Sequence, residues 1–220
     1  MSSLLRILAH RLAYPLSANF TSFMSVGQVP QAWKWATVTP VFNSCIASEL
    51  SNYRPRPISL TSILSKLMER VIVLDMLHYC RQQGLISKQQ HGFLARKSTV
   101  TNMLSCMNDW TCVLMNKTSV AVAYIDFHKA FDSVCHAKVF CKLQFMGFTG
   151  NLLKWLENFL SDRWQRTRVG DRLSEPRKII SGVIQGSCIG HLLFPLYINS
   201  LAQTSDNNTT CVLFADNVKL

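Results

Sequence analysis

At 220 residues, 48% hydrophobic and 16% charged, the chain has the material for one large core or two small ones. That composition excludes an intrinsically disordered protein. Twenty-three Lys and Arg against twelve Asp and Glu give a net charge of +11, which favours an anionic partner, nucleic acid or an acidic membrane surface. Eight cysteines occur, at 45, 80, 106, 112, 135, 141, 188 and 211, and none forms a Cys-x-x-Cys pair. Zinc-site spacing is therefore absent, and buried free thiols in a reducing compartment are the expectation.

The first element is an amphipathic helix over 2–25, with Leu4, Leu5, Leu8 and Leu12 at helical spacing. Arg6, His10 and Arg11 interrupt it, so a secretory signal fits poorly. No stretch is long and apolar enough to span a bilayer. A nuclear or cytoplasmic location without membrane attachment is expected. Residues 29–42 read as loop and strand, punctuated by Pro30 and Pro40. The segment 52–60, NYRPRPISL, is extended, because the residue before each proline is pushed out of the helical region. Ile63, Leu64, Leu67, Val71, Leu74 and Leu77 predict a helix over 62–83, stopped by Gly84. Another helix is expected over 98–116, started by Ser98 or Thr99.

The second half opens with SVAVAYIDF (119–127), which reads as a strand covered on both faces. Helices follow at 136–146 and 150–161. RWQRTRVG (163–170) alternates basic residues as a strand does, ending in the turn GDRLSEP. RKIISGVIQGS (177–187) is strand then turn, and 188–203 is helix bent at Pro195. A last strand covers 211–215. Interleaved strands and helices make the class α/β or α+β.

Two carboxylates stand out. Asp126 and Asp216 each follow an apolar strand. A carboxylate there is costly unless it is paired, hydrogen-bonded or bound to metal. If the two strands are neighbours, the carboxylates converge on a site suited to magnesium, which prefers one or two carboxylates plus phosphate oxygens. Ions about 4 Å apart can clamp the attacking and leaving oxygens of a phosphoryl transfer. Each Asp also fits an ordinary turn, since Asp and Asn tolerate left-handed backbone.

Around these carboxylates stand YIDFHKAFDSV (124–134), SGVIQGS (181–187) and FADN (214–217). WKWATVTPVF, SNYRPRPISLTSILSKLMERVI and LISKQQHGFLARKSTVTNML precede them, and LLFPLYINSL follows the glycine turn. In this order and at these intervals the set resembles the reverse transcriptase domain of non-LTR (LINE-type) retrotransposons, over residues 12–220.

The resemblance implies an α+β right-hand polymerase: fingers and a partial palm with a ferredoxin-like βαβ sheet, the thumb missing. Residues 1–115 would be N-terminal helices and fingers, and 116–220 the palm. The implied reaction is RNA-directed DNA synthesis, in which a primer 3′-hydroxyl attacks a dNTP on an RNA template. Two Mg2+ or Mn2+ ions would sit on Asp126 and Asp216, with the main-chain carbonyl of Phe127 or Ile125 as a further ligand. Phe131 would be the steric gate against a 2′-hydroxyl, with ordinary core packing the competing role for its ring. Gln185 and Gly186 would line the nucleotide pocket. Arg54 or Arg56 would meet the triphosphate or template, as suits a guanidinium. His91, Gly92 and Phe93 resemble a template-contacting block.

The departures are also specific. Asn217 stands where the family has a second adjacent aspartate, leaving at best a weak, neutral ligand. An extra Arg-Pro occupies the finger segment, the lysines usual after Phe42 are absent, and Ile184 and His191 replace customary prolines. The hairpin carrying Asp216 has only Val218, Lys219 and Leu220 after its turn, which reads as a palm cut just past its catalytic turn. Two expectations follow. Either the chain is an inactive or impaired polymerase, or it is a non-enzymatic nucleic-acid-binding remnant of a retrotransposon.

Overall fold

The computed structural model describes residues 2–41, 56–92, 94, 97–204 and 209–220. Two sheets and a helical core organise them. The first sheet has five strands: β1 (Trp35–Val41), β2 (Arg56–Leu60), β4 (Arg163–Val169), β5 (Arg172–Leu173) and β6 (Arg177–Ile179). β1 pairs antiparallel with β2 and parallel with β4, which pairs antiparallel with β5 and β6. The second sheet is antiparallel, in the order β3 (Tyr124–Asp126), β8 (Asn217–Lys219), β7 (Val212–Phe214).

Between them lie α3 (Ile63–Gln82), α5 (His136–Phe145), α6 (Gly150–Leu160) and α7 (Cys188–Ile198). Met76 of α3, Leu143 of α5, Trp155 and Phe159 of α6, and Leu193 of α7 meet in one core that also takes in Leu213 and Val218 of the small sheet. Each such side chain contributes about 1.5–3 kcal/mol by leaving water. The N-terminal helix is two pieces, α1 (Ser2–Ile7) and α2 (Ala9–Val26), broken at Leu8. Phe20 and Phe23 of α2 meet Trp33 edge-on, with centroids 6.2 and 5.5 Å away. The helix α4 (Thr99–Met115) starts at a capping box, Ser98 and Thr101 each satisfying the other's backbone amide.

Three expectations change. Pro40 lies inside β1, opposite Pro57 of β2. β4 pairs with β1 only as far as Val38, so the missing amide of Pro40 costs no bond to β4. The helix after the glycine turn ends at Ile198 and tightens into a 3-10 turn over Asn199–Thr204, while Pro195 sits within the α-helix. The strand expected over 119–127 and covered on both faces is only Tyr124–Asp126, and all three residues are exposed. Among the described residues β3 has a ladder partner on one side alone, β8, and one further pair of bonds joins Ala123 to Leu220. Apolar composition alone did not supply a covering layer. Cys80 and Cys106 are buried free thiols as expected and Cys211 is buried too, but Cys112, Cys135 and Cys141 are exposed; Cys45 lies outside the described residues. No helix among the described residues is long and apolar enough to cross a membrane.

One buried carboxylate ties the helices together. Glu69 of α3 is fully buried and accepts bonds from Ser65 Oγ at 2.8 Å and from the amides of Cys188 and Ile189 at 2.8 and 3.4 Å. Those amides are orphan donors at the N-terminus of α7, where a carboxylate also answers the helix dipole. Ser187 caps the same end by accepting from the Gly190 amide. The Glu69→Ala variant is expected to lose about 2–3 kcal/mol of stability, because charged hydrogen bonds are removed and buried donors left open. A urea titration checks this, read as a lower midpoint with an unchanged slope.

Candidate active site

β8 brings the backbone positions of Asp126 and Asp216 to one end of the small sheet. Its residues pair on one side with β3, as Asp126↔Asn217 and Ile125↔Val218, and on the other with β7, as Phe214↔Asn217 and Leu213↔Val218. Asp126, Asn217 and Phe214 therefore share one rung across three strands. Asp216 is one residue off that rung, in the two-residue turn Ala215–Asp216, and its carbonyl accepts from the Phe127 amide at 3.4 Å. Asp126, at the end of β3, and Asp216, in the β7–β8 turn, lie ninety residues apart in the chain, and the pairing places their backbones at the same end of the sheet. Asp126 is exposed and Asp216 half-buried. Desolvation therefore does not force a partner on Asp126.

The donor set is two carboxylates and the Asn217 amide, all hard oxygen donors, and it suits magnesium or manganese. Among the described residues no group of three or more His, Cys, Asp and Glu is gathered anywhere. A softer ion such as zinc has no comparable cluster there.

The turn is held from outside. Ala215 takes a φ of 53°, a left-handed conformation costing a non-glycine residue about 1–2 kcal/mol. The segment ahead of Phe93 braces it. Gln90 forms a parallel bridge with Leu213, the His91 amide donates to the Leu213 carbonyl at 2.8 Å, and the Leu213 amide donates to Gln89 at 3.0 Å. A Cβ on Gly92 would stand 2.2 Å from the Ala215 nitrogen, so only glycine fits. Gln90 is buried and accepts from the Gly92 amide at 2.8 Å. Burial, with the nearby cations Lys97 and Lys219, holds the His91 imidazole below its ordinary pKa. Lys219 donates to Asn102 Oδ1 at 2.7 Å, tying β8 to α4. His91 and Gly92 thus belong with the hairpin, while Phe93 and Arg54 lie outside the described residues.

A second cluster surrounds the glycine turn. The Val183 amide donates to the Phe131 carbonyl, and the Gly182 amide to Val134, both at 2.8 Å. Gly182 has a φ of +87°, and a Cβ there would lie 2.8 Å from Asp132. Gln185 donates through Nε2 to Asp132 Oδ1 at 3.1 Å, and its carbonyl accepts from the Ser59 amide at 2.8 Å. Gly186, with a φ of +107°, leaves no room for a Cβ against the Ser59 carbonyl at 2.9 Å. His136 bonds the Gly182 carbonyl at 2.7 Å. A cleft of about 300 Å³ opens here, lined by Pro57, Ser59, Asp132, Lys178, Ser181 and Gln185. The backbone of Arg56 stands opposite Val41 in the β1–β2 ladder.

Phe131 is partly buried and stacks on Phe194 of α7, with centroids 4.3 Å apart and planes 21° apart. Its ring has the core contacts that ordinary packing requires. The seven residues from Asp126 to Asp132 link the Asp126–Asn217 rung to the glycine-turn cleft. Asp132 and Gln90 carried no separate signal in the sequence, because their partners lie 53 and 123 residues away.

Comparison with known proteins shows the family. Residues 47–220 match the family model described as reverse transcriptase (RNA-dependent DNA polymerase). The chain is 28% identical over 198 residues to the RNA-directed DNA polymerase from mobile element jockey of Drosophila melanogaster, covering 90% of this chain and 21% of that protein. It is 29% identical over 197 residues to the probable RNA-directed DNA polymerase from transposon BS of the same organism, covering 90% of this chain and 22% of the relative. A retrovirus-related Pol polyprotein from type-1 retrotransposable element R2 of Popillia japonica is 27% identical over 177 residues, or 80% of this chain and 24% of its own. The chain spans about a fifth of the length of the first two relatives.

Gly92→Ala is expected to cost about 2–3 kcal/mol, as forced overpacking does. It should also displace the amide resonances of Ala215 and Asp216, checked by chemical denaturation and by 15N-resolved spectra.

Proposed function

The chain belongs to the reverse transcriptase (RNA-dependent DNA polymerase) family, of the kind found in non-LTR retrotransposons, and we propose that its β3–β8 rung is the nucleotidyl-transfer site. The observation that carries this is the register Asp126↔Asn217, with Asp216 one residue away in the turn. The proposed reaction adds a deoxynucleotide to a primer 3′-hydroxyl on an RNA template and releases pyrophosphate. The small sheet is the palm and the β1–β2 ladder belongs to the fingers, with the two regions dividing at residues 115 and 116.

Asp126 and Asp216 would hold Mg2+ or Mn2+, with the Phe127 carbonyl as an added ligand. When bound, such ions neutralise phosphate charge and make the primer hydroxyl a better nucleophile. The cleft beside Gln185 and Gly186 would take the incoming nucleotide. Asp132, by accepting the Gln185 Nε2–H, leaves the amide oxygen of that side chain free to meet a donor. Phe131 lies in the chain between Asp126 and Asp132 and would be the ring that excludes a 2′-hydroxyl; its stack on Phe194 would fix its position. Arg56, at the head of β2, and Arg54 before it would approach the triphosphate. His91 and Gly92 would guide the template past the turn they brace.

Asn217 contributes a neutral amide where a third carboxylate would hold a divalent ion more strongly. Transfer by the native chain is therefore impaired, since each tenfold loss in rate needs only about 1.4 kcal/mol. Primer extension on an RNA template with Mg2+ or Mn2+ tests both parts. Extension is expected to be feeble for the native chain, at least about tenfold faster for Asn217→Asp, and absent for Asp126→Ala. Activity that survives Asp126→Ala would place the chemistry elsewhere. A silent Asn217→Asp protein that still binds primer–template would favour a nucleic-acid-binding role without catalysis.

A further inference from the structure

The outer face of the five-stranded sheet takes no part in the rung, and only Lys178 of that face also lines the cleft. Side chains alternate along a strand, and in β1 Ala36 and Val38 are buried while Trp35, Thr37 and Thr39 face the other way. The pairs Trp35↔Trp164 and Thr37↔Arg166 place Trp164 and Arg166 on that same open face, and alternation adds Arg168. Trp35 and Trp164 form a stacked pair, with centroids 6.0 Å apart and planes 17° apart. Trp35 keeps 41% of its surface, and the neighbouring Leu60 keeps 54%.

The charges that β4 adds to this face are guanidinium groups. Arg166 and Arg168 are exposed, and among the described residues neither has an ion-pair partner. Lys178, opposite Trp164, is the cation already paired, to Asp162 at 2.7 Å. The nearby acids Asp171 and Glu175 sit in the turns that flank β5. Along β4 the residues that carry the indole and the two guanidinium groups follow one another at about 6.6 Å intervals of backbone.

We propose that this face binds a single-stranded stretch of nucleic acid, separately from the catalytic rung. Bases would lie against the Trp35–Trp164 pair and successive phosphates on Arg166 and Arg168. Aromatic rings on an open sheet are a sequence-tolerant platform for bases, and guanidinium groups beside them hold the backbone. A membrane surface would be a poorer occupant, because Thr37 and Thr39 interrupt the apolar patch and the cations run through its length. The proposal does not depend on Asp126 or Asp216.

Fluorescence anisotropy of a short labelled oligothymidylate tests it, with the full chain titrated over a range of KCl. Trp164→Leu and Trp35→Leu are each expected to weaken binding roughly tenfold without changing the salt slope. Arg166→Gln with Arg168→Gln is expected to flatten the slope by about 1.4, two phosphate contacts on a single strand. Binding that is tight in every variant with an unchanged slope would overturn the proposal while leaving the catalytic reading intact. No binding by the native chain would overturn this proposal together with the nucleic-acid part of that reading. Binding to phosphatidylserine vesicles but not to the oligonucleotide, lost in the same variants, would make the face a membrane contact and also overturn it.

Discussion

Strand β8 is three residues long, yet the site depends on it. Asn217, Val218 and Lys219 pair with β3 on one side and β7 on the other. Without that double pairing Asp126 and Asp216 would have no reason to meet across ninety residues of chain. So short a strand has little stability of its own. Its neighbours secure it: Val218 sits in the helical core, Lys219 reaches Asn102 of α4, and the Gln89–Gly92 segment runs along the far edge of β7. The left-handed Ala215 is the cost of a two-residue turn that presents Asp216, and Gly92 packed beneath it keeps that turn in place.

The second dependence runs through Glu69. By binding the first amides of α7 it locks the helix after the glycine turn onto α3. The turn is then held from two more directions, by Ser59 of β2 and by the backbone of Phe131 and Val134. Burial draws the Arg163 guanidinium down to about 10, and its bonds to the Phe159 and Trp33 carbonyls tie the start of β4 to α6 and to the segment before β1. Cleft and rung therefore share a rigid frame, as a site requiring fixed geometry needs.

Much of this was legible in the sequence. Helical periodicity placed α3, α5 and α6 within a residue or two, because each buries one apolar stripe. The two carboxylates were findable because apolar strands lead into them, and the family resemblance came from ordered blocks rather than any single motif. The exposure of β3 was not legible, since an apolar run reports a preference for burial and not whether a covering layer exists. Nor were the Gln90–Leu213 bridge, the Asp132–Gln185 bond and the Glu69 cap. Each joins residues more than fifty apart through polar groups that have no periodicity to announce them. The stacked tryptophans were hidden for a related reason: the parallel β1–β4 register that joins them spans almost 130 residues.

The central claim is that Asp126 and Asp216 form one metal site. The most direct measurement is a Mn2+ titration followed through paramagnetic broadening of backbone amides in 15N-resolved spectra. A shared site requires the amides of Asp126, Asp216 and Asn217 to broaden together at low Mn2+, and that broadening to vanish from all three in Asp126→Asn and equally in Asp216→Asn. Broadening at Asp216 that persists undiminished in Asp126→Asn, or that first appears elsewhere on the chain, would contradict it.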